Sequence, residues 1–228
     1  MKIEIEKFDF QSNRILSSLS MMDRELFIQT GDQLIFKKKK LIFYEGGIPT
    51  GVFLIQEGRA KIYKTGLDGK DQIFYIYKAG DLLGYHALLC NEQYEDSCEA
   101  LEECKVLFVS ESKFHNLLEQ IPSLKLLLIQ NMSHEFGVLV NTITVLAQKP
   151  LRERLALYLM ILEEKYRSDQ PGIVLPREDL ANIVGTARES LGRLLKEFKE
   201  EALISIENKE IQILDAAKLQ KIASSQYI

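Results

Sequence analysis

From Pro122 to Pro150 the chain carries one unbroken helical stripe. Leu128, Met132, Phe136, Leu139, Ile143 and Leu146 recur at spacings of three and four, which predicts an amphipathic helix about six turns long. A helix of about 25 residues reaches roughly 38 Å, more than a compact domain of this size needs. Either it crosses a neighbouring sheet as its cover, or its stripe pairs with a second copy of itself. The preferred arrangement is a parallel, coiled-coil-like dimer. Its seam would be Leu128, Met132, Leu139, Ile143 and Leu146, with Asn131 and Asn141 beside it to fix the register.

The texture on either side of this helix differs. Residues from about 1 to 30 are short and helical, as in "NRILSSLSMMDRELF". From about 31 to 110, β-prone runs such as "GVFLIQEGRAKIYKTG" and "QIFYIYKAGDLLGY" are punctuated by glycines. Asp68-Gly69 between two such runs is a hairpin turn, because that dipeptide tolerates positive φ. Many short strands with frequent turns predict an antiparallel roll. Lys37 to Lys40 read as a strand end and turn carrying solvated lysines rather than as a nucleic-acid patch.

After Pro150, "LRERLALYLMILEEKY" is a second amphipathic helix and "DQPGIVL" a turn leading into a short strand. Pro176 opens the next helix, with Glu178 and Asp179 in its first turn. Gly185 ends it. Thr186 then caps the following helix, with Glu189 as its capping-box partner. A hairpin around Glu207, Asn208 and Lys209 and a last helix from about Ala216 complete the chain. The expected architecture is α+β: an N-terminal roll domain with its leading helices over 1–121, a long helix over 122–149, and a winged helix-turn-helix over 150–228.

Two short helices joined at a glycine suit a helix-turn-helix, whose second helix enters the DNA major groove. "LPREDLANIVGTARESLGRLLKEFKEEALI" closely resembles the helix-turn-helix of the Crp/Fnr superfamily (cyclic-AMP receptor protein and fumarate–nitrate regulator). "LIFYEGGIPTGVFLIQEGRAKIYK" is similar to that family's first roll strands and "GDLLGYHALL" to its effector segment. The resemblance extends over nearly the whole chain. It implies a homodimeric, effector-responsive transcription regulator on a two-fold symmetric operator with TGTGA-like half-sites, meeting RNA polymerase if it activates. It also implies Arg188, Glu189 and Arg193 as base-reading residues, with Thr186, Ser190 and Lys196 beside them. Arginine can donate twice to guanine and glutamate can accept from cytosine. Ala187 departs from the pattern, where a serine is common.

The same resemblance places an effector pocket at Gly84, Tyr85, His86, Ala87, Glu95, Asp96 and Ser97, with Leu139 and Val140 from the long helix. In cyclic-nucleotide-binding members a glutamate holds the ribose and an arginine the cyclic phosphate. Tyr85 stands in the glutamate's place, and Glu95 or Asp96 in the arginine's. An acid facing a phosphate reverses the sign of the interaction, so cyclic AMP is rejected as the effector. His86 lies close to where a haem-dependent relative places an axial histidine, which leaves haem as an alternative cofactor; none is otherwise expected.

Composition narrows the remaining classes. The 228 residues carry a formal net charge of −4, so any nucleic-acid contact must be a local cationic face on an acidic body. Three cysteines, Cys90, Cys98 and Cys104, are too few for a four-thiolate iron–sulfur cluster and read as small apolar residues. A cupin-like metalloenzyme is the remote alternative. It would need several histidines near the roll, yet only His86 lies there, with His115 and His134 in helical territory. No nucleophile–base set or phosphate loop is present, so no catalytic activity and no metal is expected. No apolar run reaches the roughly 20 residues that span a bilayer, and a cytoplasmic, membrane-free protein is expected.

Overall fold

The computed structural model describes residues 4–167 and 172–224. The expected turn at Asp169 to Pro171 lies outside the described residues. The chain divides into two compact units, Phe10–Gly137 and a second formed by Met1–Asp9 with Val138–Ile228. The division falls inside the long helix rather than at either of its ends.

In the first unit, helices α1 (Asn13–Ser17) and α2 (Met21–Thr30) precede strands β1 (Asp32–Phe36), β2 (Leu41–Phe43), β3 (Gly51–Glu57), β4 (Ala60–Thr65), β5 (Asp71–Tyr77) and β6 (Leu82–Leu83). Helix α3 (Tyr85–Cys90), strands β7 (Ser97–Ala100) and β8 (Cys104–Ser110) and helix α4 (Glu111–Gln120) follow, and α5 (Pro122–Gln148) begins. The strands make two four-stranded antiparallel sheets, β1-β8-β3-β6 and β2-β7-β4-β5. This is the expected roll, and the Asp68-Gly69 turn joins β4 to β5. The lysine run after β1 is exposed. Val52, Leu54, Leu107 and Val109, side chains of one sheet, pack with Phe114 and Leu117 of α4 and with Leu124 and Leu128 of α5. Asp81, almost wholly buried, ties α1 to the β5–β6 turn. Its carboxylate accepts from Ser12 Oγ at 3.0 Å, Asn13 N at 3.1 Å and Lys78 N at 2.8 Å, as a buried charge requires.

Leu128 therefore belongs to the core of the roll, not to an exposed seam. Asn131 is buried as well. Leu126, Ile129, Met132 and Phe136 are the exposed apolar residues of this part of α5, Phe136 at 70%.

In the second unit the remainder of α5 buries Val138, Thr142 and Val145 and exposes Val140 and Ile143. Leu139 and Leu146 are half-buried. Asn141 Nδ2 donates to the Lys7 carbonyl at 3.1 Å. Helix α6 (Leu151–Tyr166), strand β9 (Ile173–Val174), helices α7 (Arg177–Val184) and α8 (Arg188–Glu200), strands β10 (Ile204–Glu207) and β11 (Glu210–Ile213) and helix α9 (Ala216–Ala223) follow. The strands form a three-stranded sheet, β10-β11-β9, beside the helix pair. The β10–β11 turn at Asn208 and Lys209 takes positive φ at both residues. Leu159, Leu180, Val184, Leu191, Leu195, Phe198 and Ile211 are buried here. Lys165 of α6 pairs with Asp9.

Candidate functional site

Helix α7 stops because Gly185 takes a left-handed conformation, φ +71° and ψ +51°. That conformation is open to glycine and strained for most other residues, and it lets the chain reverse into α8 within three residues. The start of α8 differs from the expected capping box. Its N-cap is Ala187, with no side-chain capping bond, and Thr186 sits half-buried in the turn. Glu189 is therefore free of a capping task. It stays in the first turn, where a carboxylate complements the helix dipole.

Helix α8 is sharply two-faced. Leu191, Leu195 and Phe198 are buried, whereas Arg188, Glu189, Arg193 and Lys196 are exposed and Ser190 is half-buried. Arg193 Nη2 donates to Ser190 Oγ at 3.3 Å, and Lys196 meets Glu200 at 3.7 Å. No ion pair joins Glu189 to Arg193 among the described residues. Gly192 lies in the middle of this face, and a Cβ there would meet nothing within 4 Å. The back of α8 is anchored instead. The Arg152 guanidinium lies over the Phe198 ring at 4.9 Å and pairs with Glu201 at 2.7 Å and Glu197 at 3.5 Å. The result is a 13-residue helix, roughly 20 Å long, with two guanidinium groups and a carboxylate projecting from its first two turns.

The roll holds a second cluster. Gly84, at φ +85°, is the N-cap of α3, and a Cβ there would stand 3.2 Å from the Phe53 ring. This turn drives Tyr85 fully into the core. Its hydroxyl donates to Glu135 Oε1 at 2.7 Å. Asn131 Nδ2 reaches the same oxygen at 2.9 Å and the Tyr85 hydroxyl at 2.9 Å. His86 Nε2 lies 3.0 Å from the other carboxylate oxygen, Oε2. The Glu135 side chain is 4% exposed and that of His86 42%.

Electrostatics follow from this packing. Burial opposes charge on His86, but the hydrogen bond and charge of Glu135, with the charge of Asp96, outweigh it, and the imidazole pKa is raised. Burial pushes Asp96 up to about 6, against the pull of His86 and Lys64. Burial, and then Glu135, hold the Tyr85 hydroxyl well above the usual phenol range.

Of the pocket residues expected from sequence, Tyr85, His86 and Asp96 belong to this cluster, and Ala87 is buried beside them in the chain. Glu95 does not; it is exposed and bound to Lys64 at 2.8 Å. Ser97 Oγ accepts from the Glu45 backbone N–H at 3.0 Å. Leu139 and Val140 belong to the other unit. The sequence does not single out Glu135, and it sets Asn131 beside the dimer seam. The available signal was two polar residues, i and i+4, on the face begun by Leu124 and Leu128.

Haem, the one cofactor left open by sequence, does not fit these residues. The His86 nitrogen that would meet haem iron is held by Glu135. Cys98 and Cys104 are buried, burial raising the first thiol well above its usual range and the second to about 11. Cys104 Sγ donates to the Arg59 carbonyl. Cys90 is exposed, contrary to the expectation of a buried apolar residue. No group of three or more metal-binding side chains occurs among the described residues.

A cyclic nucleotide-binding domain model matches residues 33–121, and a Crp-like helix-turn-helix domain model matches 153–222. The transcriptional activator protein anr of Pseudomonas aeruginosa is 29% identical over 195 residues, 83% of this chain and 80% of that protein. The two matched domains are those of a Crp/Fnr-type regulator. Another Crp/Fnr relative, the fumarate and nitrate reduction regulatory protein of Vibrio cholerae, is 29% identical over 202 residues, 84% of this chain and 80% of that one. FixK2 from Bradyrhizobium japonicum shares the fold, with a TM-score of 0.77 at 18% identity over 86% of this chain and 99% of that chain. The two sequence relatives are regulators, not enzymes, as the Crp/Fnr resemblance implies. No helix among the described residues is long and apolar enough to cross a membrane.

Proposed function

We propose that the chain acts as a homodimeric transcription regulator which reads a two-fold symmetric operator through α8 and whose roll responds to a signal other than cyclic AMP. The observation that carries the DNA-reading role is the exposed set Arg188, Glu189 and Arg193 on a helix fixed by Gly185 and Arg152. Guanidinium groups give paired hydrogen bonds to guanine. A carboxylate close to phosphates is repelled unless it accepts from a cytosine amino group, so Glu189 reads sequence. Lys196 meets phosphate, and the exposed Lys209 of the β10–β11 turn does the same. An activator of this kind would also touch RNA polymerase.

A binding selection on randomised duplexes tests this. Wild type should enrich a palindrome of TGTGA-like half-sites with centres about 34 Å apart. Glu189→Ala should lose base preference at one position of each half-site while holding random DNA at least as well. Identical motifs from the two proteins would remove Glu189 from base reading.

The roll argues against a cyclic phosphate because Asp96 is a carboxylate where an anion would need a cation. Calorimetric titration with cyclic AMP should give no heat, and binding in the micromolar range would overturn that part of the proposal.

A further inference from the structure

We propose that the proton is the effector of the roll, taken up by the His86 imidazole that bridges α3 to the buried Glu135 of α5. This rests on reading the roll as the sensing part of the regulator. One oxygen of Glu135 is held by two neutral donors, Tyr85 Oη and Asn131 Nδ2, and the other faces His86 Nε2. Among the groups that hydrogen-bond Glu135, His86 is the one able to carry positive charge. A carboxylate buried to this depth is costly without a cation beside it. The His86 ring is also half open to solvent, so a proton has a path to it.

The step needs no other reactant. With Nε2–H donating to Glu135 Oε2, a solvent proton adds to the ring's second nitrogen, Nδ1, and the imidazole becomes an imidazolium. The bond to Glu135 is kept, and what was a neutral donor on a carboxylate becomes a pair of opposite charges. The two elements it spans, α3 and α5, are held together more tightly as a result.

The groups around this bridge support the same direction. Asp96, in the segment before β7, faces His86 and favours its charged form. Lys64 of β4 faces Asp96, together with the acids Glu45 and Glu95. Tyr77 of β5 faces Glu135, and burial keeps its hydroxyl neutral by raising its pKa well above the usual range. Histidine is the one side chain whose ordinary charge change falls across about pH 5 to 8. The exposed face of α8 carries none, so a pH response in DNA affinity must come from elsewhere in the molecule.

The test uses the full chain and the duplex it selects. Wild type should hold that duplex several-fold more tightly at the acid end of the range than at the alkaline end. His86→Gln and Glu135→Gln should each flatten the profile. In parallel, histidine proton–carbon correlation spectra should show the His86 ring titrating above 6.5 in wild type and lower in Glu135→Gln. A pH slope in His86→Gln equal to that of wild type overturns the proposal. If wild type selects no sequence at any pH, the regulator reading fails instead. The spectra still decide the site in that case: a His86 titration unmoved by Glu135→Gln overturns it.

Discussion

Tyr85 and Tyr77 are both fully buried in the roll, yet their hydroxyls are in opposite situations. Tyr85 donates to a carboxylate and accepts from Asn131. The Tyr77 hydroxyl has no hydrogen-bond partner among the described residues. A hydrogen bond to a charged group contributes about 1.5–3 kcal/mol, whereas removing an unsatisfied buried hydroxyl is neutral or stabilising. Tyr85→Phe should therefore lower unfolding stability by about that amount, and Tyr77→Phe should leave it unchanged or raise it. Urea denaturation of the two variants separates these outcomes, and equal losses would contradict the hydrogen-bond assignment. Little of this contrast was legible in the sequence. The position of Tyr85 beside Gly84 marked it as a pocket residue, but its partner lies 50 residues away. Only the packing of α5 on the roll brings Glu135 to it.

Helix α5 shows why the sequence placed its faces imperfectly. The helix is apolar on two sides. Leu124 and Leu128 enter the roll core, and Leu126, Ile129, Met132, Phe136, Val140 and Ile143 lie exposed. Periodicity finds a helix readily in such a pattern but cannot rank two stripes of similar hydrophobicity. Of the five seam residues expected from sequence, only Met132 and Ile143 are on the exposed stripe. The helix-turn-helix was far more legible, because Gly185 and the sharp division of α8 leave one arrangement. Even there the N-cap moved from Thr186 to Ala187, since the turn placed the chain one residue further on before it became helical. Two substitutions distinguish the stripes of α5. Leu128→Ala should lower unfolding stability by about 2–5 kcal/mol with the sedimentation coefficient unchanged. Phe136→Asp should leave the fold intact, because Phe136 is exposed in the single chain, and shift the protein to monomer. A Phe136→Asp protein that sediments as wild type would mean the exposed stripe is not the dimer seam.

At the scale of the whole molecule, two groups in the roll push stability in the same direction with pH. The folded-state pKa of Asp96 is raised from 3.8 to about 6, so the folded chain binds the proton more tightly, and stability falls as pH rises through that interval. His86 is also raised. Its contribution is complete below its unfolded value of about 6.5 and is lost as pH rises through the higher folded value. Asp96→Asn should therefore raise the melting temperature near neutral pH and flatten the acid side of the stability profile. Thermal melts across pH check this, and a lowered melting temperature at neutral pH would show that ionised Asp96 is stabilising. The DNA-reading unit has an asymmetry of its own. Helix α8 carries Arg188 and Arg193 in its first two turns, whereas Glu197 and Glu200 alternate with Lys196 and Lys199 towards its end and Glu201 is its C-cap, on a chain whose net charge is −4. A helix that enters a groove reversed or out of place would bring this mixed-charge end, without the two guanidinium groups, against the phosphates. Wrong placements then have short residence times, and the regulator's search along a chromosome is not slowed by lingering at sites it does not read.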